Sequence, residues 1–356
     1  MLDLNAEKKI DELLEIVVKK EASDLHISEG RPPSIRIDGD LFPIENMENL
    51  TPEAAKSIVY SLLSPENEGR FEKEKEVDFS YTYKKNVRFR VNVYYQKGYV
   101  SAALRLIPNK VRDLSELELP AILSSFCLQN QGFFLLVGPS GNGKTTAIAA
   151  MIDEINQKRH DHVITIEDPI EYIFEQKKSI IDQRELYRDT DSFEKALRSA
   201  LRQDPDVIMV GEMRDPETIK AALTAAETGH LVLATLHTND AAQTIDRIVD
   251  SFPPHQQGQV RFQLASTLLG VLSRRLIPKI GGGVVNAVEL LVVNGAVRNL
   301  IRENKIYQLS SIIETGFEDG MVSLNRSLAD LVKRETISID SALTFSTNQN
   351  ELKLML

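Results

Sequence analysis

The sequence predicts an α/β protein of two domains, and three observations carry that prediction. Its 356 residues, at about 150 per domain, suggest roughly two domains. Residues 77–83, 87–95 and 99–107 read as strands, and the middle one alternates cleanly. Val87, Phe89, Val91 and Val93 share one face, with Arg88, Arg90 and Asn92 on the other, as in an antiparallel sheet with one wet face. Further on, short apolar runs at 133–137, 163–166, 207–210 and 231–235 are separated by longer helical patterns. That alternation argues for a parallel sheet covered by helices.

The elements follow in order. Ile10, Leu13, Leu14 and Val17 recur at helical intervals, so the chain opens with an amphipathic helix over 6–20. Ser34 to Ile37 alternates, and the pair Asp38-Gly39 after it is a hairpin-turn signal. Thr51-Pro52-Glu53 supplies an N-cap, a proline at the first helical position and an early acid. The helix it starts is expected to reach about Leu63. With the three strands above, this makes a small α+β domain. The polar stretch Pro108 to Glu118 is the expected linker. The parallel α/β region follows, and from about residue 255 the pattern reads as mainly helical, with Val260 to Leu276 as one helical run.

Composition excludes several classes. Hydrophobic residues are 42% and charged residues 26%, ordinary values for a globular chain. A single cysteine, Cys127, allows neither an internal disulfide nor a cysteine metal cage, which fits a reducing, cytosolic compartment. The net charge of −10 opposes broad, non-specific nucleic-acid binding, which needs a basic field. No run approaches the roughly 18 apolar residues of a membrane span. Met1 to Lys20 is acidic from Asp3 onward and has no apolar core, so it is not expected to be a signal peptide. Membrane association is expected only through a partner or a surface.

The strand Phe133 to Val137 runs directly into Gly138-Pro-Ser-Gly-Asn-Gly143-Lys144-Thr145, and a helical segment follows. This is the complete G-x-x-x-x-G-K-[ST] pattern in strand–loop–helix context. Gly138, Gly141 and Gly143 let the backbone wrap so that its N–H groups face phosphate oxygens. Ser140, Asn142 and Thr146 complete the candidate nucleotide-binding set. The helix N-terminus adds a positive dipole. Lys144 is expected to reach the β- and γ-phosphates of ATP, and the Thr145 hydroxyl to ligate Mg²⁺.

Two strand ends supply carboxylates. Val163 to Ile166 leads into Glu167, Asp168 and Glu171, with Pro169 expected to end the strand. A carboxylate at the C-terminal end of such a strand can align and deprotonate a water, but spacing does not choose among these three. Asp206 to Val210 ends in Gly211-Glu212. The usual aspartate of a Walker B strand is absent, leaving Glu212 as a candidate for metal or metal-water contact. His230 and His237 bracket the strand 231–235. Seven residues apart, they fall on opposite faces, which is poor geometry for one metal but compatible with a histidine that senses the γ-phosphate.

Four blocks occur in order: GPSGNGKTT (138–146), TIEDPIEY (165–172), DVIMVGEMRD (206–215) and GHLVLATLHTNDA (229–241). They resemble the Walker A, Asp box, Walker B and His box of the PilT-type ATPases of the type IV pilus and type II secretion superfamily. ASDLHIS (22–28), PPSIRIDGD (32–40), RFRVN (88–92) and AVRNLIRE (296–303) extend the resemblance over essentially the whole chain, the last to segments associated with retraction motors. The resemblance implies a PAS-like α+β domain over 1–108, a hinge linker over 109–118, and a RecA-like P-loop ATPase domain with a helical C-terminal part over 119–356.

It further implies a homo-hexameric motor at the cytoplasmic face of the inner membrane. Such a motor hydrolyses ATP and drives pilus retraction through a membrane platform protein, reaching pilin only indirectly. Within that resemblance Glu171 matches the catalytic base, Glu212 the Walker B glutamate, and His230 and His237 the His box pair. Arg88 and Arg105 are the arginines expected to approach nucleotide across a ring interface, where arginine can stabilise charge on the γ-phosphate. Arg90, Arg198 and Arg202 are the other arginines in view. An assembly or secretion ATPase of the same superfamily is the nearest alternative. Many of those carry a tetracysteine zinc insert and a longer N-terminal extension. The single cysteine, and a start almost at ASDLHIS, favour retraction. A DNA-translocating P-loop motor conflicts with the charge, and a non-hydrolysing adaptor with the full acidic set.

Overall fold

The computed structural model describes residues 4–37, 39–84, 87–107 and 111–356. The chain divides into two units. One is Met1–Lys110 with Pro169–Ile173; the other is Val111–Asp168 with Phe174–Leu356. The residues 111–118 expected as linker therefore group with the second unit, while 108–110 lie outside the described residues.

In the first unit, helix α1 (Leu4–Lys19) buries Ile10, Leu13, Leu14 and Val17, the stripe its spacing predicts. Strands β1 (Asp24–Ile27), β2 (Ser34–Ile37) and β3 (Asp40–Pro43) come next. The turn between β2 and β3 holds Gly39 at φ 94°, a conformation that favours glycine; Asp38 lies outside the described residues. Helix α2 (Pro52–Tyr60) begins as its sequence requires, with Thr51 accepting from the Ala54 N–H at 3.2 Å. A second helix, α3 (Pro65–Glu74), repeats the device with Ser64 and Asn67. Strands β4 (Glu76–Tyr83), β5 (Val87–Gln96) and β6 (Tyr99–Ile107) complete a sheet of order β3-β2-β1-β6-β5-β4, antiparallel throughout. On β5, Phe89, Val91 and Val93 are buried in one core with α1.

The second unit starts with α4 (Leu123–Cys127), β7 (Gly132–Val137), α5 (Lys144–Lys158), β8 (His162–Glu167) and β9 (Ile180–Glu185). Helix α6 (Phe193–Ala200), β10 (Val207–Val210), α7 (Pro216–Glu227) and β11 (Leu231–Leu236) follow. Next come α8 (Ala241–Asp250), α9 (Pro254–Thr267), β12 (Leu268–Pro278) and β13 (Val284–Val292). The strand order is β13-β12-β7-β11-β10-β8-β9. Every neighbouring pair is parallel except β12–β13. Each residue of β7, β10 and β11 is buried, which is why these strands read as unbroken apolar runs. Helices α10 (Gly295–Arg302), α11 (Leu309–Thr315), α12 (Leu324–Lys333), α13 (Ile339–Phe345) and α14 (Gln349–Met355) close the chain. This is the RecA-like α/β arrangement with a helical C-terminal part.

One expectation is corrected. The helix from Val260 ends at Thr267, and Leu268–Pro278 is a strand paired with β7 on one side and β13 on the other. The turn of the hairpin carries Gly281, Gly282 and Gly283 at φ 88°, 106° and 75°. A strand buried on both faces loses its period of two, so Leu268, Val271 and Leu272 extend the helical spacing of Val260 and Leu264 without interruption. Strand β9 was also unread.

Candidate nucleotide site

The loop between β7 and α5 is shaped by two close approaches. Gly138 sits at φ 139°, and a Cβ there would lie 2.5 Å from the Arg274 carbonyl oxygen on β12. Gly143, at φ 70° and ψ 26°, is the N-cap of α5. Asn142 pins the loop to the sheet, its Oδ1 accepting from the Leu276 N–H at 2.7 Å. Gly141 is exposed at the tip, and Ser140 Oγ lies 3.3 Å from His237 Nδ1. Thr145 and Thr146 are half-buried in the first turn of α5. A cleft of about 220 Å³ adjoins this turn, with Arg112, Leu117, Gly143, Thr146, Leu276 and Lys279 among its walls.

Lys144 is 7% exposed and carries its ammonium into the loop. Its Nζ donates to the Gly138 carbonyl at 2.6 Å and the Pro139 carbonyl at 3.1 Å, and stands 3.3 Å from His237 Nδ1. On the other side of the imidazole, His237 Nε2 is 3.3 Å from Glu212 Oε1. A ring that accepts from Lys144 at Nδ1 and donates to Glu212 from Nε2 satisfies both contacts. Arg214 completes the line, with Nε 2.7 Å from Glu212 Oε1 and Nη2 donating to Oε2 at 2.7 Å. Burial pushes the Glu212 carboxyl up, but the Arg214 bond and charge, with smaller pulls from His237 and Lys144, outweigh it. The net result lies below the ordinary value, so Glu212 stays ionised beside the loop.

Glycine at 211 has a steric cause. Its N–H bonds the Ile166 carbonyl at 2.8 Å, and a Cβ would stand 3.1 Å from that oxygen and 3.3 Å from Glu167 Cα. The end of β10 is pressed against the end of β8, which leaves little room for the aspartate usual at this position.

The acids after β8 separate. Glu167 is 4% exposed and accepts from Thr165 Oγ1 at 2.6 Å and Gln183 Nε2 at 3.2 Å, so its carboxylate belongs to the sheet. Asp168 is exposed. Glu171 is half-buried and falls in Pro169–Ile173, the segment grouped with the first unit, where Arg90 Nη1 is 3.7 Å from its Oε1.

The two histidines lie far apart. His230 precedes β11, its Nδ1 2.9 Å from the Ala225 carbonyl and 3.3 Å from Thr228 Oγ1. His237 follows β11, whose six residues span about 20 Å at 3.3 Å each. Only His237 reaches the phosphate loop of its own chain; the hydrogen bonds of His230 tie it to the end of α7. On the first unit, Arg88 Nη2 donates to Ser80 Oγ at 2.5 Å. Arg105 Nε donates to Asp24 Oδ1 at 2.9 Å across the β1–β6 pair.

Arg214, Arg274 and Asn286 were not singled out from the sequence. Arg214 was visible two residues past Glu212. Arg274 and Asn286 were hidden by the helical reading of 260–276. The Thr145 hydroxyl and the Glu212 carboxylate are oxygen donors of the kind a hard cation takes. Among the described residues no cluster of three or more His, Cys, Asp or Glu could hold a metal alone. A cation here would be shared with a nucleotide.

A phosphate loop on a buried parallel strand, an ionised carboxylate at the end of the next strand but one and a histidine at the end of the strand between them define a P-loop nucleoside triphosphatase domain. The comparisons narrow this. The family model for type II/IV secretion system proteins matches residues 3–316. The chain is 47% identical over 333 residues to the type IV pilus retraction ATPase PilT of Pseudomonas aeruginosa, covering 94% of this chain and 96% of that one. It is 46% identical over 321 residues to a twitching motility protein of Neisseria gonorrhoeae, covering 90% and 86%. A crystal structure of the pilus retraction motor PilT with bound ADP superposes with a TM-score of 0.89 at 48% identity, over 97% of this chain and 99% of that one. The chain belongs to the type II/IV secretion system protein family, among its PilT-type ATPases.

Proposed function

We propose that this protein is the ATP-hydrolysing motor of type IV pilus retraction. The observation that carries the proposal is the Lys144–His237–Glu212–Arg214 line beside the phosphate loop, in a chain whose relatives are retraction and twitching proteins. The motor works as a homo-hexamer at the cytoplasmic face of the inner membrane. It acts on a membrane platform protein and on pilin only indirectly. No described helix is long and apolar enough to cross a membrane.

In this reading the loop N–H groups and Lys144 hold the β- and γ-phosphates of ATP. The Thr145 hydroxyl and Glu212 are the residues that would hold Mg²⁺, which would supply positive charge against the phosphate oxygens. Glu171 aligns the attacking water and takes its proton. His237, bridging Lys144 and Glu212, changes partners when the γ-phosphate leaves. Arg88 and Arg105 approach the nucleotide of a neighbouring subunit, and His230 acts away from the loop of its own chain. Differential contact with the γ-phosphate then biases open against closed subunit interfaces.

The test is genetic. A deletion strain complemented with Lys144→Ala is expected to keep surface pili and lose twitching. Loss of the pili themselves overturns retraction in favour of assembly. In the purified protein, Lys144→Ala is expected to abolish ATP turnover.

A further inference from the structure

The β12–β13 hairpin holds the phosphate loop and the first residues of the second unit at once. Arg274 on β12 is 2% exposed. One arm of its guanidinium, Nη1, donates to the Gly143 carbonyl, and the other, Nη2, to Asn286 Oδ1 on β13. The Asn286 amide then donates from Nδ2 to the Leu117 carbonyl at 2.8 Å. Leu117 lies in a tightly turned segment. Its own N–H bonds the Asp113 carbonyl at 3.2 Å, Glu118 bonds Ser115 at 2.9 Å, and Leu119 bonds Leu114 at 3.1 Å. This segment follows the first unit in the sequence.

We propose that Arg274 is a positioning residue that couples nucleotide at the phosphate loop to the 113–119 segment through Asn286. The physical basis is the peptide between Gly143 and Lys144. It is planar and trans, so its carbonyl and its N–H point in opposite directions. Holding the Gly143 oxygen on a buried guanidinium aims the Lys144 N–H the other way, toward the concave side of the loop where phosphate binds. A phosphate that draws on that N–H loads the Gly143 carbonyl, and the load passes through Arg274 and the Asn286 amide to Leu117. The Gly143 oxygen also accepts from the Ala147 N–H at 3.1 Å, so the same peptide starts α5. The fork of arginine matters: one planar group reaches both acceptors, which a lysine ammonium at this place does not do.

This inference rests on the nucleotide reading of the loop, and its test separates the two. ADP binding is measured by calorimetry on the full chain, and amide hydrogen exchange is followed with and without saturating ADP. In the wild type, ADP is expected to slow exchange at Leu117, Glu118 and Leu119 by about tenfold or more. Asn286→Asp keeps an acceptor for Arg274 but loses the donor to Leu117. It is expected to bind ADP within a few-fold of wild type and to lose that protection. Arg274→Lys keeps the charge and loses the fork. It is expected to bind about tenfold more weakly and, when saturated, to leave the segment unprotected. Thermal melting checks the fold of each variant; if Arg274→Lys does not melt cooperatively, Asn286→Asp decides alone. Full protection in a folded, saturated variant overturns the coupling, as does a wild type that binds ADP without protecting the segment. A wild type that binds no ADP overturns the nucleotide reading and the coupling with it.

Discussion

Two parallel neighbours in the sheet, β8 and β10, both end in acid and treat it differently. After β10, Glu212 is fixed on two sides, by Arg214 and by His237, whose imidazole leads on to Lys144. After β8, Glu167 is absorbed into the core by Thr165 and Gln183, and Glu171 lies beyond Pro169 in a segment that groups with the other unit. The difference teaches what each acid is suited to. A carboxylate locked among cations makes a constant charge, fit for orienting a metal-bound water. In the proposed reading, Glu171 ties the step it serves to the unit that carries it.

The largest expected effect breaks the comparison at Glu171. Glu171→Gln removes the proposed base but leaves the loop, so turnover is expected to fall by about 10²- to 10⁴-fold while nucleotide affinity stays within a few-fold. Steady-state hydrolysis beside equilibrium binding checks this; wild-type turnover removes Glu171 from the chemistry and returns the choice to Asp168.

A further carboxylate sharpens the role of the cations. Glu289 on β13 accepts from the Ala241 N–H at 2.9 Å, at the start of the helix that follows His237. Burial, with a smaller push from Asp240, raises it from the ordinary 4.5 to about 7, against the Ala241 bond and the charge of Arg275. The folded protein thus holds this proton more tightly than the unfolded chain. The stabilisation it gives is complete below about pH 4.5 and is lost as pH rises through 7, up to about 3 kcal/mol in all. Glu289→Gln is expected to flatten that loss, so that urea unfolding finds the variant more stable than wild type at pH 8 and little different at pH 5. Parallel pH profiles would show that some other group sets the stability there.

At Glu212 a smaller effect is expected, because a neutral glutamine keeps the geometry. Glu212→Gln is expected to lower turnover by about tenfold, the scale of one weakened charge-assisted contact. Since its cations hold Glu212 below the ordinary range, wild-type activity is not expected to titrate with it from about pH 6 to 8. A midpoint in that range that vanishes in the glutamine variant would contradict the fixed-charge reading.

These carboxylates also show how much was legible. The phosphate loop was, because the strand, its glycines, Lys144 and Thr145 are contiguous and each type is dictated locally. Spacing did not choose among Glu167, Asp168 and Glu171; the resemblance pointed to Glu171, and only the fold shows that Glu167 bonds Gln183 from β9 and that the chain grouping skips from residue 110 to residue 169. Gly211 looked like a defect in a Walker B strand and is a steric fit to β8. The hairpin at 268–292 escaped because buried strands and helices share apolar spacing there, and with it went Arg274 and Asn286.

The smallest expected effect concerns the first unit, where scaffold and site must be told apart. Arg105 pairs with Asp24 at 2.9 Å, but its side chain is 69% exposed. With its arginine this exposed, the pair contributes less than about 1 kcal/mol, although Asp24 itself is buried and also accepts from Ser23 and faces Arg36. Arg105→Ala is therefore expected to shift thermal stability only slightly, and Asp24→Ala, which also removes the partner of Ser23 and Arg36, by more. Turnover distinguishes them. If Arg105 approaches nucleotide across a subunit interface, hydrolysis by the assembled protein falls with Arg105→Ala and not with Asp24→Ala, because only the arginine carries charge to a phosphate. Equal losses in both variants would mean that the pair matters only for the sheet, and the stabilisation of the γ-phosphate would then have to come from Arg88 or another cation.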